Sequence, residues 1–203
     1  MKSTVFSLLI AALLTAGCAT TAQPDPTGFL TSYGSLKQID DDHLFFSAGR
    51  TADYSRFIVD PVVLLFIPEQ NGMFNAQELE EMRDYFEQRI RESLTEEDGY
   101  EIVTEPGPGV ARLRVGLVDV DRTIGALNIW LVTKATGAGI GGASAEGELV
   151  DSVTGEQLAA SVRWGGGSRV LIAGFTSMGD AKLAIKRWTR DMREMIDAAH
   201  AKR

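Results

Sequence analysis

Residues 54–121 restrict the possible folds more than any other stretch, because a strand, a helix and a second strand follow one another at the spacing of a crossover. Tyr54–Ile67 (YSRFIVDPVVLLFI) is rich in β-branched and aromatic residues and nearly continuous in apolar character, the pattern of a strand covered on both faces. Pro61 has no N–H for a ladder, so it marks a bulge or an edge-facing position midway, and Pro68 ends the run. Asn75 followed by Glu78 is a capping-box pattern, and Phe74 with Leu79 forms a hydrophobic staple around it. Leu79, Met82, Phe86 and Ile90 then recur at helical spacing as one apolar stripe, with charged residues between them. The helix ends near Leu94, Gly99 suits the stop, and Glu96-Glu97-Asp98 is a solvated acidic loop at the negative end of the dipole. Tyr100–Thr104 alternates as a short strand, Glu105–Gly109 is a tight turn, and Val110–Val120 alternates over a longer one. The order predicts a right-handed βαβ unit.

Downstream, Leu127–Val132 (LNIWLV) reads as another strand or an apolar contact loop, and a glycine run follows at 137–142. That run contains G-x-G-x-x-G, but a phosphate cradle needs a helix N-terminus directly behind it, and Ala143–Val150 alternates as a strand instead. The run is a linker or a contact segment, and Leu127, Ile129, Trp130 and Ile140 are the residues expected to meet a partner. Ala145–Asp151 and Glu156–Trp164 flank Ser152–Gly155 as a hairpin. A last helix opens at Ser177, with Ala181, Ile185, Trp188, Met192, Met195, Ile196 and Ala199 on its apolar face. Lys182, Lys186, Arg187, Arg190, Arg193 and Glu194 form its outer face. The expected fold is a single α/β (α+β) domain: a mixed, largely antiparallel sheet with two amphipathic helices packed on one face.

The N-terminus bears on place. Lys2 precedes an apolar run from Val5 to Ala16, about twelve residues, which is signal-like and too short to span roughly 30 Å of hydrocarbon. Thr15, Ala16 and Gly17 lead into Cys18, and this stretch resembles the lipobox of bacterial lipoproteins, although leucine is commoner where Thr15 stands. The resemblance implies a signal peptide over 1–17, acylation of Cys18 and a lipid anchor. The competing reading is an ordinary secretory signal with an incidental cysteine. By the same resemblance, Ala19 in place of a retaining aspartate favours the inner leaflet of the outer membrane, facing the periplasm. Residues 18–28, small, polar and proline-containing, form a tether, and 29–203 form the domain. Phe29, Leu30, Tyr33 and Leu36 have helical spacing, and Leu44-Phe45-Phe46 docks this arm on the core.

Composition excludes some partners. The net charge is −8, or −9 once Lys2 leaves with the signal, so the domain is a poor nucleic-acid binder. The one cysteine is committed to lipid, which leaves no disulfide, thiolate metal site or cysteine nucleophile. Asp40-Asp41-Asp42-His43 reads as a solvated turn rather than a hard-cation site, since no calcium-loop spacing follows. His200 sits at a fraying helix end, and Asp119 and Asp121 share a strand face without an evident facing partner. No catalytic set, cofactor or metal site is expected. The functional expectation is a non-enzymatic envelope lipoprotein that binds or assists a partner complex. A homo-oligomeric subunit of a secretion or transport assembly is the alternative, and an enzyme using acidic residues ranks below both.

Taken together, several segments resemble the bacterial lipoprotein family known as domain of unknown function 3313. They are Gly28-Phe29-Leu30 with Tyr33 and Leu36, Ile58–Val62, Gly99–Val103 running into Glu105–Val110, Gly141–Ser144, Asp151–Glu156 and Gly179-Asp180-Ala181. The resemblance implies an envelope lipoprotein and confers no activity. A weaker likeness, in element order alone, is to small envelope subunits that assist secretion or transport complexes.

Overall fold

The computed structural model describes residues 25–65, 75–97, 99–121, 142–164 and 179–201. In chain order the strands are β1 (Lys37–Asp40), β2 (His43–Ser47), β3 (Arg56–Val59), β4 (Val63–Leu64), β5 (Glu101–Ile102), β6 (Val110–Asp121), β7 (Gly142–Asp151) and β8 (Gln157–Arg163). Helix α1 (Ala76–Thr95) lies between β4 and β5, and α2 (Gly179–His200) follows β8. Among the described residues one sheet holds all eight strands in the order β1-β2-β8-β7-β6-β3-β5, with β4 also on β6. Pairs β3–β5, β3–β6 and β4–β6 are parallel and the rest antiparallel, so the sheet is mixed and largely antiparallel.

The Tyr54–Ile67 run folds as two strand segments on one neighbour. Val59 pairs with Leu113, and Val63 pairs with Gly116. Four steps on one strand therefore face three on the other, and the extra residue falls around Pro61. The proline without an N–H marks the bulge, and the Asp60 N–H still donates to the Leu113 carbonyl at 3.0 Å. Phe57, Ile58 and Val59 are all buried, as a strand covered on both faces requires.

Helix α1 opens on Asn75, which accepts from the Glu78 N–H while Glu78 reaches back to the Asn75 N–H. The staple partner Phe74 lies outside the described residues. Leu79, Met82, Phe86, Ile90 and Leu94 of α1 join Ala181, Ala184, Ile185, Trp188 and Ile196 of α2 in one core cluster. Ala111, Leu113, Val115 and Leu117, alternate residues of β6, belong to the same cluster. Both helices thus cover one face of the sheet. The end of α1 corrects the expectation for Gly99: Glu97 takes the left-handed conformation (φ 51°), not a glycine. Gly99 meets a different need, because a Cβ there would collide with the Leu94 carbonyl.

The second face has its own cover. Phe29, Tyr33 and Leu36 pack with Leu30, Ala160, Val162 and Trp164, and with Leu44 and Phe46 of β2. The helical spacing expected for 29–36 is not realised; these residues run as bends and a turn along the sheet. A lone turn and a half of helix gains little, whereas the extended arm buries its apolar side chains and meets acceptors on β7. In the β7–β8 hairpin, Gly155 has φ 73°, the positive value its turn requires.

Candidate functional site

Two places in the fold concentrate chemistry. The first is a cavity of about 310 Å³ between α2 and the sheet. Its floor is made of small residues: Gly147 stands opposite Ser161 across β7–β8, with Ala145 and Ala159 also lining the space. Trp188, Met192, Met195 and Ile196 of α2 form the roof, with Phe86 and Ile90 of α1 on one side and Phe45 of β2 on another. Small side chains under a helix carrying Trp and Met leave the gap.

Polar groups gather at one end. His43 is buried, and its Nε2 lies 2.9 Å from Ser161 Oγ. Burial, then the nearby Arg163 guanidinium, lowers the imidazole pKa to about 4 against the opposing pull of Asp191 and Asp40. The ring is therefore neutral at neutral pH. Burial also lowers the pKa of Arg163, which pairs with Asp191 at 2.9 Å and lies 3.8 Å from Asp42. Arg187 reaches Asp42 at 3.6 Å. The expected solvated turn is corrected in part: Asp40 and Asp41 are exposed, but His43 is core and Asp42 belongs to an ion-pair cluster. A hydroxyl beside an imidazole is half of a nucleophile arrangement. The other half, an acid hydrogen-bonded to Nδ1, is not found among the described residues. On the same helix, Trp188 is buried and its Nε1 has no hydrogen-bond partner among the described residues.

The second place is where the arm meets β7. Glu146 and Glu148 are buried, two residues apart on the arm-covered face. Glu146 accepts from the Thr27 N–H at 3.2 Å, from Thr27 Oγ1 at 2.8 Å and from the Tyr33 hydroxyl. That hydroxyl in turn accepts from the Gly28 and Leu30 N–H groups at 3.0 and 3.2 Å. Glu148 accepts from the Thr31 N–H and Oγ1 at 2.9 and 3.1 Å, from Arg114 at 2.6 Å and from Gln157 at 2.8 Å. The Arg114 guanidinium lies 4.9 Å from the Phe29 ring centroid. Buried carboxylates persist only when so satisfied. The sequence offered one signal, two glutamates of like parity in an otherwise apolar AEGELV strand, but their partners on the arm lie more than a hundred residues away.

Of the residues singled out from sequence, Cys18, Leu127, Ile129, Trp130 and Ile140 lie outside the described residues. Asp119 and Asp121 lie on β6 past a register shift at Leu117/Asp119, and their side chains are likewise outside what is described. His200 is not at a frayed end. Its Nδ1 is 2.8 Å from the Ile196 carbonyl, and its Nε2 is 3.1 Å from the Tyr54 carbonyl. Its ring centroid is 5.2 Å from that of Tyr100. Arg193 is likewise no mere outer-face residue: it donates to the Ser93, Leu94 and Glu96 carbonyls at 2.8, 3.1 and 3.2 Å. Among the described residues, no group of three metal-ligating side chains is brought together, and no helix is long and apolar enough to cross a membrane.

These features define a class: an open-sheet α+β domain with two helices on one face and its own N-terminal arm locked to the other. The chain belongs to the family described as Protein of unknown function (DUF3313), whose family model matches residues 25–192. No curated protein matches it. Two solved structures of the PelC dodecamer from Paraburkholderia phytofirmans are similar in outline. A leucine-to-methionine variant is 11% identical, with a TM-score of 0.46, covering 74% of this chain and 95% of that one. The other is 8% identical, with a TM-score of 0.45, covering 78% and 95%. Likeness at this level carries no argument about function.

Proposed function

We propose that the protein is a lipid-anchored module of the bacterial envelope, held through acylated Cys18 and facing the periplasm, that binds or assists an envelope partner rather than catalysing a reaction. The observation that carries this reading is the arm. Residues 18–26 number nine and span at most about 30 Å however they run. Thr27 is then fixed to Glu146 on β7. An anchor at Cys18 would tether the arm-bearing face to the leaflet and leave the helix-covered face directed away from it. The net charge of −9 once Lys2 has left gives no attraction to anionic headgroups, so attachment falls to the lipid. A binding role is favoured because the Ser161–His43 pair has no orienting acid among the described residues.

Processing and palmitate labelling test the anchor. Cys18→Ser should accumulate unprocessed and unlabelled; normal processing overturns the anchor. Crosslinking in intact cells, followed by purification and mass spectrometry, tests the role. A single stoichiometric envelope partner supports it. Self-crosslinked copies alone replace it with the homo-oligomeric subunit, and recovery of nothing shifts the reading to small ligands or catalysis.

A further inference from the structure

We propose that the cavity beneath α2 is a binding site for one uncharged single-chain amphiphile, an alkyl or acyl chain of medium length ending in a hydrogen-bond acceptor. The inference is independent of the anchor. Three observations carry it. The first is size. About 310 Å³, at roughly 30 Å³ per water-sized group, holds about ten chain atoms, the lower end of the range for ligand pockets. The second is the lining. Met192 and Met195 adapt their shape to a chain, Phe86 and Ile90 close one side, and Gly147 keeps the floor low. A Cβ on Gly147 would make only ordinary contacts, with Val115 Cγ2 at 3.6 Å and the Arg114 carbonyl at 3.7 Å. The glycine is therefore not required by its immediate neighbours, and its effect is to leave room.

The third observation is Trp188. A buried indole N–H without an acceptor is costly, and Trp is normally placed where that N–H finds a partner. Trp188 lines the cavity, and its Nε1 has no partner among the described residues. A ligand oxygen supplies the missing acceptor. An uncharged head group fits better than a carboxylate. Among the described residues the one cation lining the cavity, Arg163, is committed to Asp191 and Asp42, and His43, behind the lining Ser161, is neutral.

The test is photo-crosslinking of the full chain in isolated envelopes with a decanol bearing a diazirine, competed by 1-decanol. Labelling should saturate and map to the 181–200 peptide. Gly147→Val, which fills the floor with a residue suited to a strand, should lower labelling at least tenfold. Ala199→Phe fills the roof end and serves should the first variant fail to fold, as judged by its melting. Trp188→Phe should raise the half-competing decanol concentration about fivefold and leave competition by decane unchanged. A phospholipid carrying the same diazirine separates sources. If it labels the same peptide and decanol does not, the occupant is a membrane phospholipid and the assignment to an uncharged single-chain ligand is overturned. If decanol labels alone, the ligand is free. Labelling that does not saturate, spreads over the surface, or persists at full strength in both filled variants overturns the site. Equal decanol competition in Trp188→Phe overturns the assignment of the acceptor.

Discussion

His43 and Asp151 set the acid limits of the fold from opposite chemistries. The His43 pKa falls from 6.5 to about 4 on folding, so below pH 6.5 the unfolded chain takes up a proton that the native state refuses. Stability therefore drops as the pH falls from 6.5 to about 4, by at most about 3 kcal/mol, and is flat in this group above 6.5. Asp151 runs lower. The Thr154 N–H, then the Tyr54 hydroxyl and the Val153 N–H, hold its pKa near 2 against an ordinary 3.8. Its contribution is present above pH 3.8 and is lost as pH falls through about 2. The windows do not overlap, so denaturant midpoints followed from pH 7 to 4 span the His43 window and stay above that of Asp151. His43→Gln keeps a hydrogen-bonding group near Ser161 and should flatten that slope. An unchanged slope would place the titrating group elsewhere.

At the scale of elements, the helices differ in how their ends are secured. Asn75→Ala removes the α1 N-cap and should cost about 1 kcal/mol in thermal or urea unfolding. The C-terminal end relies on the other helix: Arg193 of α2 donates to three carbonyls at the end of α1 and pairs with Asp197 at 2.8 Å. Arg193→Met keeps the stem and removes the cation, with an expected loss of about 2 kcal/mol. A loss no larger than that of Arg190→Met, whose side chain is mostly exposed, would show the capping to be idle. The contrast shows what was legible in the sequence. Asn75 and Glu78 are three residues apart, so the cap can be read locally, as can the Leu79–Ile90 stripe and the bulge at Pro61. Arg193 meets α1 across about a hundred positions, and nothing near it distinguishes it from Arg190. The His43–Ser161 contact and the cavity floor were hidden for the same reason, because register across β2, β8 and β7 decides which side chains meet. Phe29–Leu36 misled in the other direction. Its spacing suits a helix, but two buried carboxylates and an apolar face pull the segment flat.

For the whole molecule the arm sets how far the domain can stand from the anchor proposed at Cys18. With Thr27 fixed to Glu146, nine residues separate it from the start of the proposed tether; with the arm released through Leu36 the number is nineteen. The reach then doubles from about 30 to about 60 Å. Tyr33 is the hinge pin of this arrangement, because its hydroxyl joins two arm N–H groups to a buried carboxylate. Tyr33→Phe keeps the ring in the apolar cluster and deletes that junction. It leaves Glu146 with Thr27 as its remaining partner among the described residues and should destabilise the docked arm by about 1–3 kcal/mol. Hydrogen exchange separates a local from a global effect. Amides 28, 30 and 31 should exchange about tenfold to a hundredfold faster, while the β6–β7–β8 ladder amides keep their wild-type rates. If every amide accelerated together, the arm would be part of the cooperative core rather than a latch upon it. The reach from the proposed anchor would then stay at about 30 Å or less as long as the domain is folded.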